Sequence, residues 1–280
     1  MTYREVLKLA FQKTEKKKKE IEAAKLLLME MSCLTPTSFY LSLDEAVSPL
    51  LKDQYFDNLH RYLDLDEPIQ HIIGHAYFYG RPFLVNPNVL IPRVETEQLV
   101  EHVLIAYDTY FPEQPISVLD LGTGSGCIGI SIQLEAPLTR VTISDISEAA
   151  LEVAKTNAQT LHANVKTVTS NWFSNINGTF DIIVSNPPYI PQNEPIEPQV
   201  EKEPKLALYG GTSHYEAILK AIKPYLNPRS LIAFEHGYQQ KEAIKQMVHS
   251  YHPDANVVQL KDLQGKDRFT LIGFRDVLAP

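Results

Sequence analysis

The stretch Ser117-Val118-Leu119-Asp120-Leu121-Gly122-Thr123-Gly124-Ser125-Gly126 decides the fold of this chain. It opens with the length and apolar content of a buried strand and runs into a glycine-rich turn, after which Cys127 to Leu134 continue with the spacing of a helix start. That order of elements lets a backbone approach a ligand closely and points the free N–H groups of a helix start at it. Gly124, Gly126 and Gly129 satisfy the pattern Gly-x-Gly-x-x-Gly, and the acid Asp145 lies roughly 20 residues on, as a dinucleotide fingerprint expects. Taken alone, the stretch leaves the ligand open.

Three more strand ends follow it. Val141-Thr142-Ile143-Ser144-Asp145 reads as a second strand ending in an acid, Val165 to Thr169 as a third leading to Asn171-Trp172-Phe173, and Asp181-Ile182-Ile183-Val184-Ser185 as a fourth leading to Asn186-Pro187-Pro188-Tyr189. Successive prolines cannot prolong a ladder, so the tetrapeptide belongs at the strand's carboxyl end, where open α/β sheets place their ligand crevice. In chain order the candidate strand ends carry Asp120, Asp145, Asn171 and Asn186. A carboxylate at Asp120 sits poorly beside a pyrophosphate but suits a ligand bearing an ammonium and a sulfonium. Asp145 can accept from both hydroxyls of a ribose, while Asn171 and Trp172 can flank an adenine. The plain alternatives are helix caps for the two acids and a core position for Trp172; Phe173 is assigned to the core. This ordered set resembles the class I methyltransferases that use S-adenosylmethionine. The resemblance implies that Gly122, Thr123, Gly124, Ser125 and Gly126 line the cofactor together with Asp120, Asp145, Asn171, Trp172 and Asn186.

The tetrapeptide has a chemistry of its own. Asn186 supplies a side-chain carbonyl acceptor, Pro187 a backbone carbonyl without a competing N–H, Pro188 a fixed turn and Tyr189 an aromatic face. A planar NH2 group could donate both hydrogens there while its plane is held against a ring. Such a nitrogen is a poor nucleophile because its lone pair is delocalised. Two fixed acceptors favour its tetrahedral form and the positive charge that develops on attack, so no strong base is needed. The plain reading of the same residues is a loop opener.

Composition agrees with a two-part enzyme. At 280 residues the chain exceeds a typical single domain, and 44% apolar residues can build a core. The expected architecture is α/β: a Rossmann-like, mostly parallel sheet with helices on both faces, preceded by a small helical bundle. The bundle is expected over residues 1–75, where Val6, Leu7, Ala10 and Phe11, then Ile21, Ala24, Leu27 and Leu28, then Val47, Leu50 and Leu51, then Phe56, Leu59 and Leu63 recur at helical spacing. Thr35-Pro36-Thr37 and Ser48-Pro49 punctuate it. A β-hairpin linker is expected over 76–93 and the catalytic domain over 94–280, with the prolines of 187–204 in a substrate-facing loop.

No apolar run approaches a membrane span and the N-terminus lacks a signal-peptide core, so a cytoplasmic protein is expected. Cys33 and Cys127 lack metal-like spacing and read as reduced and buried, and the nine histidines form no ligand pattern, so no metal is expected. A formal charge of −8 argues against a nucleic-acid partner. The only dense basic run, Lys16-Lys17-Lys18-Lys19, is flanked by Glu15, Glu20 and Glu22 and reads as a solvated helix face.

Gln70-His71-Ile72-Ile73-Gly74, Phe78-Tyr79-Gly80-Arg81-Pro82-Phe83 and Val89-Leu90-Ile91-Pro92-Arg93-Val94-Glu95-Thr96-Glu97 resemble the signature that precedes the catalytic domain in the protein glutamine N5-methyltransferases acting on peptide chain release factors. Ser170-Asn171-Trp172-Phe173, Val184 to Ile190, Glu203-Pro204-Lys205-Leu206-Ala207-Leu208-Tyr209-Gly210-Gly211 and Glu235-His236-Gly237 resemble family segments as well. The resemblance implies methyl transfer from S-adenosylmethionine to the glutamine of the Gly-Gly-Gln tripeptide of class 1 release factors, with Asn186, Pro187, Pro188 and Tyr189 holding that glutamine. A monomer acting on a protein, with no direct nucleic-acid or membrane contact, is expected. Val94 stands where the family often has proline, Asn171 where aspartate is common, and Lys202 where arginine usually precedes the Glu-Pro step; lysine cannot give a planar bidentate contact. The rival readings are the sister methyltransferase of a large-subunit ribosomal protein, an adenine N6 DNA methyltransferase, which would want a basic groove, and a cofactor-binding module without activity.

Overall fold

The structure, a computed structural model, describes residues 1–279. The chain forms two compact units, Met1–His75 with Ile196–Lys202, and Ala76–Pro195 with Glu203–Pro280.

The first unit is built from α1 (Tyr3–Lys16), α2 (Ile21–Met31), α3 (Pro36–Leu41), α4 (Pro49–Asp64) and α5 (Ile69–Ile73). Local chemistry sets their starts. Thr2 and Glu5 form a reciprocal capping box on α1, and Thr35 and Ser48 accept from Ser38 N and Leu51 N with proline in the first turn of α3 and α4. Val6, Ala10, Ala24, Leu27, Leu28, Phe39, Tyr55 and Leu59 meet in one core, where the Tyr55 hydroxyl donates to Ala24 O at 3.0 Å. Leu50 lies in α4 as its spacing predicts but on the outer face: it is 69% exposed, because the inward face of α4 is made by Tyr55, Leu59, Tyr62 and Leu63.

Two sequence expectations need correcting in this unit. The lysine run is not a helix face, since α1 ends at Lys16 and Lys18 takes a left-handed φ of 56°. Lys17 pairs with Asp64 at 2.6 Å and Lys19 with Asp66 at 2.7 Å, so the run closes the helix end. Cys33 is exposed, not buried, because it lies beyond the last turn of α2 at φ 55°, whereas Cys127 is buried; both are free thiols.

The second unit begins with a hairpin of β1 (His75–Phe78) and β2 (Arg81–Leu84), turned at Tyr79 (φ 50°) and Gly80 (φ 74°). The hairpin is shorter than its aromatic and β-branched texture suggests: residues 85–93 form no strand. Then come α6 (Val94–Tyr110), β3 (Ser117–Leu121), α7 (Cys127–Glu135), β4 (Arg140–Asp145), α8 (Glu148–Thr160), β5 (Val165–Thr169), β6 (Phe180–Ser185), α9 (Lys205–Leu208), α10 (Ser213–Ala221), β7 (Leu226–Glu235), α11 (Lys241–Tyr251), β8 (Asn256–Lys261) and β9 (Asp267–Gly273). The sheet order is β5-β4-β3-β6-β7-β9-β8, parallel except where β9 pairs antiparallel with β7 and β8. Val94, at the first position of α6, is 72% exposed; a proline is tolerated there because the N–H it lacks has no helical partner, so the valine changes little.

Alternate residues of the central strands serve opposite cores. Val118, Ile182 and Val184 pack into the layer containing Leu99, Val103 and Ile130, while Leu119, Leu121 and Ile183 pack with Tyr215, Ile218 and Ile244. Both faces are covered by helices, which is why these strands read as continuous apolar runs, each large side chain contributing roughly 1.5–3 kcal/mol. The chain steps from β3 to β4 and β5 on one side and from β6 to β7 on the other, so the order reverses between β3 and β6. A crevice opens at such a switch point. Among the described residues, no helix is long and apolar enough to cross a membrane.

Candidate active site

Leu121 and Ser185 are register partners at the carboxyl ends of the two switch-point strands, and the Ser185 hydroxyl donates to Leu121 O at 2.7 Å. That bond ties the glycine turn to the tetrapeptide. Above them lies a cavity of about 320 Å³ lined by Gly122, Thr123, Gly124, Ser125, Asp145, Asn171, Trp172, Asn186 and Pro188. Much of the rest of its wall comes from Pro87 to Leu90, Thr96, Leu206, Ala207 and His214; of these, Val89, Leu90, Thr96, Leu206 and Ala207 are legible only as parts of family-like segments, and His214 gives no signal in the sequence.

Asp120 does not face this cavity. Its side chain is fully buried, with Oδ2 accepting from Thr123 Oγ1 at 2.5 Å and from Gly129 N at 2.9 Å. The expectation that it meets a ligand cation is thus replaced by a role inside the turn: it holds the loop on one side and the first turn of α7 on the other. Gly129 makes this close approach possible, because a Cβ there would lie 2.5 Å from Ile143 Cγ2 and 3.1 Å from Asp120 Oδ2. Burial pushes the Asp120 carboxyl up to about 7, with its second oxygen, Oδ1, lacking a hydrogen-bond partner. Gly126 also lies behind the lining, as the residue before α7 at φ 85°, where a Cβ would meet Ile130 Cδ1 at 2.7 Å.

Asp145 ends β4 and does line the cavity. It accepts one backbone N–H on each oxygen, Gly124 N at 2.9 Å and Ser147 N at 2.9 Å. Two carboxylate oxygens offer about four acceptor sites, so roughly half remain for the hydroxyls of a ribose. Burial raises its pKa and the backbone N–H bonds oppose that rise. Trp172 holds a left-handed φ of 47°, and its ring meets His214 with centroids 5.2 Å apart. Together with Asn171 they give an aromatic and amide wall. Phe173 is buried and stacks on Tyr225, as assigned to the core.

The tetrapeptide divides. Asn186 and Pro188 line the cavity, whereas Pro187 is buried and Tyr189 turns toward the sheet-side core that holds Phe234 and Tyr215. Tyr189 O accepts from Gln240 Nε2 at 2.9 Å, and burial pushes its hydroxyl up to about 12. The aromatic face expected at Tyr189 for the substrate amide is thus turned toward that core and is not part of the cavity wall. Asn186 Nδ2 donates to Thr96 Oγ1 at 3.2 Å, and both groups face the carboxylate of Glu235, the last residue of β7. An amide whose NH2 end is held this way turns its carbonyl oxygen the other way, toward the cavity.

The sheet order, the glycine turn, the acid ending β4 and the crevice at the switch point together define a class I methyltransferase. A crystal structure of a methyltransferase from Pyrococcus furiosus shares the fold with a TM-score of 0.51 at 22% identity, covering 70% of this chain and 90% of that one. Residues 102–202 match the methyltransferase small domain and residues 5–74 the PrmC N-terminal domain. The release factor glutamine methyltransferase of Bacillus anthracis is 35% identical over 273 residues, 94% of this chain and 96% of its own length. That of Bacillus subtilis is 36% identical over 277 residues, 94% and 95% of the two chains. The chain belongs to the release factor glutamine methyltransferase family.

Proposed function

We propose that this methyltransferase transfers the methyl group of S-adenosylmethionine to the side-chain amide N5 of the glutamine in the Gly-Gly-Gln tripeptide of class 1 release factors. The observation that carries the reading is the held amide of Asn186, whose carbonyl oxygen faces a cavity walled by an acid and a tryptophan. When bound, the cofactor supplies an electrophilic methyl group on a sulfonium. The residues that would hold it fit: Asp145 keeps acceptor sites for ribose hydroxyls, Gly122 and Gly124 present backbone without a side chain, and Trp172 with Asn171 would flank the adenine. Asn171 in place of an aspartate still offers a carbonyl to an adenine amine.

Asn186 Oδ1 accepts one hydrogen of the substrate amide; the Pro187 carbonyl is the second acceptor in the tetrapeptide, although the Pro187 side chain lies behind the cavity wall. Held so, the nitrogen would face the methyl group that the bound cofactor would supply; the new N–C bond would replace the S–C bond, the thioether would leave, and one N–H proton would pass to solvent. Pro188 fixes the turn and Tyr189 anchors it from behind. The reading includes a cytoplasmic monomer whose partner is a protein, and a helical N-terminal unit that helps hold it.

The test incubates the enzyme with labelled S-adenosylmethionine and, in parallel, purified class 1 release factors, large-subunit ribosomal proteins and DNA. Label is expected on the release factors, at the Gly-Gly-Gln glutamine by peptide mass. Label confined to ribosomal protein or to DNA would sink the reading and favour one of its two rivals.

A further inference from the structure

Glu235 is a fully buried carboxylate that the reaction as described does not use. Its surroundings come from several elements. Thr96 and Glu95 face it from α6, Asn186 from the end of β6, Arg268 from β9, and Cys127, Tyr189 and Tyr215 complete the titratable groups that feel its charge. Arg268 is the cation among them, and it divides its attention with Asp262, whose Oδ2 lies 3.2 Å from its Nε. One Glu235 oxygen, Oε2, has no hydrogen-bond partner. An acid held so deeply with so little compensation costs stability, and a glutamine of the same size would fill the space.

What an acid does there that an amide cannot is fix direction. Thr96 Oγ1 already accepts from Asn186 Nδ2, so its own hydrogen must go elsewhere, and the acceptor facing it is Glu235. An ionised carboxylate only accepts. It therefore requires a hydroxyl hydrogen from Thr96 and an N–H from Asn186, and the Asn186 carbonyl oxygen can then face only the cavity. Glutamine at 235 could instead present its NH2 to Thr96 and let the Asn186 amide turn over. An inverted Asn186 would offer N–H groups to a substrate nitrogen that needs an acceptor.

We infer that Glu235 is a positioning residue which, acting through Thr96, sets the end of the Asn186 amide that meets the substrate. The inference rests on the proposed glutamine methylation. It has a pH signature, because burial pushes the Glu235 carboxyl up to about 7: above that pH the group is ionised and accepts, below it the group carries a proton and no longer dictates direction.

The test compares wild type, Glu235→Gln, Thr96→Val and Thr96→Ser in steady-state methylation of a release factor between pH 6 and 8.5, with cofactor affinity by calorimetry to confirm a folded site. Wild-type kcat is expected to rise through about pH 7. Glu235→Gln is expected to lower kcat about tenfold or more, as misorientation of one acceptor does, to leave the affinity for S-adenosylmethionine within about twofold, and to lose the rise with pH. Thr96→Val should fall similarly, and Thr96→Ser, which keeps the hydroxyl, should recover most of the loss. A Glu235→Gln enzyme with wild-type kcat and an unchanged pH rise overturns the positioning role while leaving the methylation reading intact. A wild-type enzyme that labels no release factor overturns both.

Discussion

Arg93 and Glu203 lie 110 residues apart in the chain and meet with a guanidinium nitrogen 2.5 Å from a carboxylate oxygen. The other Glu203 oxygen accepts from Ile91 N at 2.8 Å, and the Glu203 side chain is only 2% exposed. One acid thus clasps the segment before α6 to the segment before α9, and both line the cavity, through Pro92 and Arg93 on one side and Pro204 and Leu206 on the other. Lys202, which stands where the family usually has arginine, is exposed, and it is the neighbouring acid that makes the contacts.

Glu203→Ala should therefore weaken both the unit and its site. It leaves the Ile91 N–H buried without an acceptor and Arg93 without its ion pair, which should destabilise the unit by about 2 kcal/mol. For a unit of this size the corresponding loss in Tm is roughly 4–8 °C. Cofactor affinity should fall along with it, because two walls lose their common tie. Calorimetric titration and thermal unfolding read the two effects, and unchanged values in both would remove Glu203 from the architecture of the site.

Asp120 makes a prediction about pH and stability. Its folded-state pKa is raised to about 7 from an ordinary value of 3.8, so between those values the folded chain holds a proton that the unfolded chain has released. Stability must then fall as pH rises across that window, and the full cost of the buried charge is present above it. Asp120→Asn removes this contribution while its Oδ1 can still accept from Thr123 and Gly129. Relative to wild type, the variant should be more stable at pH 8 than at pH 5, whatever its absolute stability. Denaturant unfolding at the two pH values checks the sign; the opposite order would mean that Asp120 is ionised and compensated in the folded protein.

How much could be read from the chain follows from how local each signal is. Asp145, Trp172 and Asn186 stand out because each closes or closely follows a β-branched run of strand length, and the fold follows from the order of those runs. The direction of a side chain is not local. Asp120 was expected to face outward with Asp145, but the N–H of Gly129 on α7 and the hydroxyl of Thr123 take its carboxylate inward. Thr96 and Glu203 were visible only as parts of a family-like segment, since their partners Asn186 and Arg93 lie 90 and 110 residues away. Glu235 was likewise visible only in the family-like segment Glu235-His236-Gly237, and nothing in its neighbours in sequence reveals that it faces an amide. Cys33 was misplaced for the opposite reason: its exposure is set by a single left-handed residue after α2 that no periodicity predicts.

The sharpest test of the chemistry is Asn186 itself. Asn186→Ala deletes the acceptor at the reacting nitrogen and should lower the single-turnover methylation rate about a hundredfold or more, in line with the loss of one preorganised oxyanion-hole donor, while release-factor affinity changes far less. Asn186→Asp keeps an acceptor but sets a second carboxylate against Glu235, and two buried acids in contact hold one proton between them over a wide pH range. With that proton on Glu235, an aspartate at 186 can present its free oxygen to the substrate. Partial activity is expected, highest at the acid end of the range and falling as pH rises, the reverse of the wild-type trend. Single-turnover rates for the three enzymes between pH 6 and 8.5 separate these outcomes. An alanine variant that methylates at the wild-type rate would reduce Asn186 to a turn residue, and the mechanism would have to be rebuilt without it.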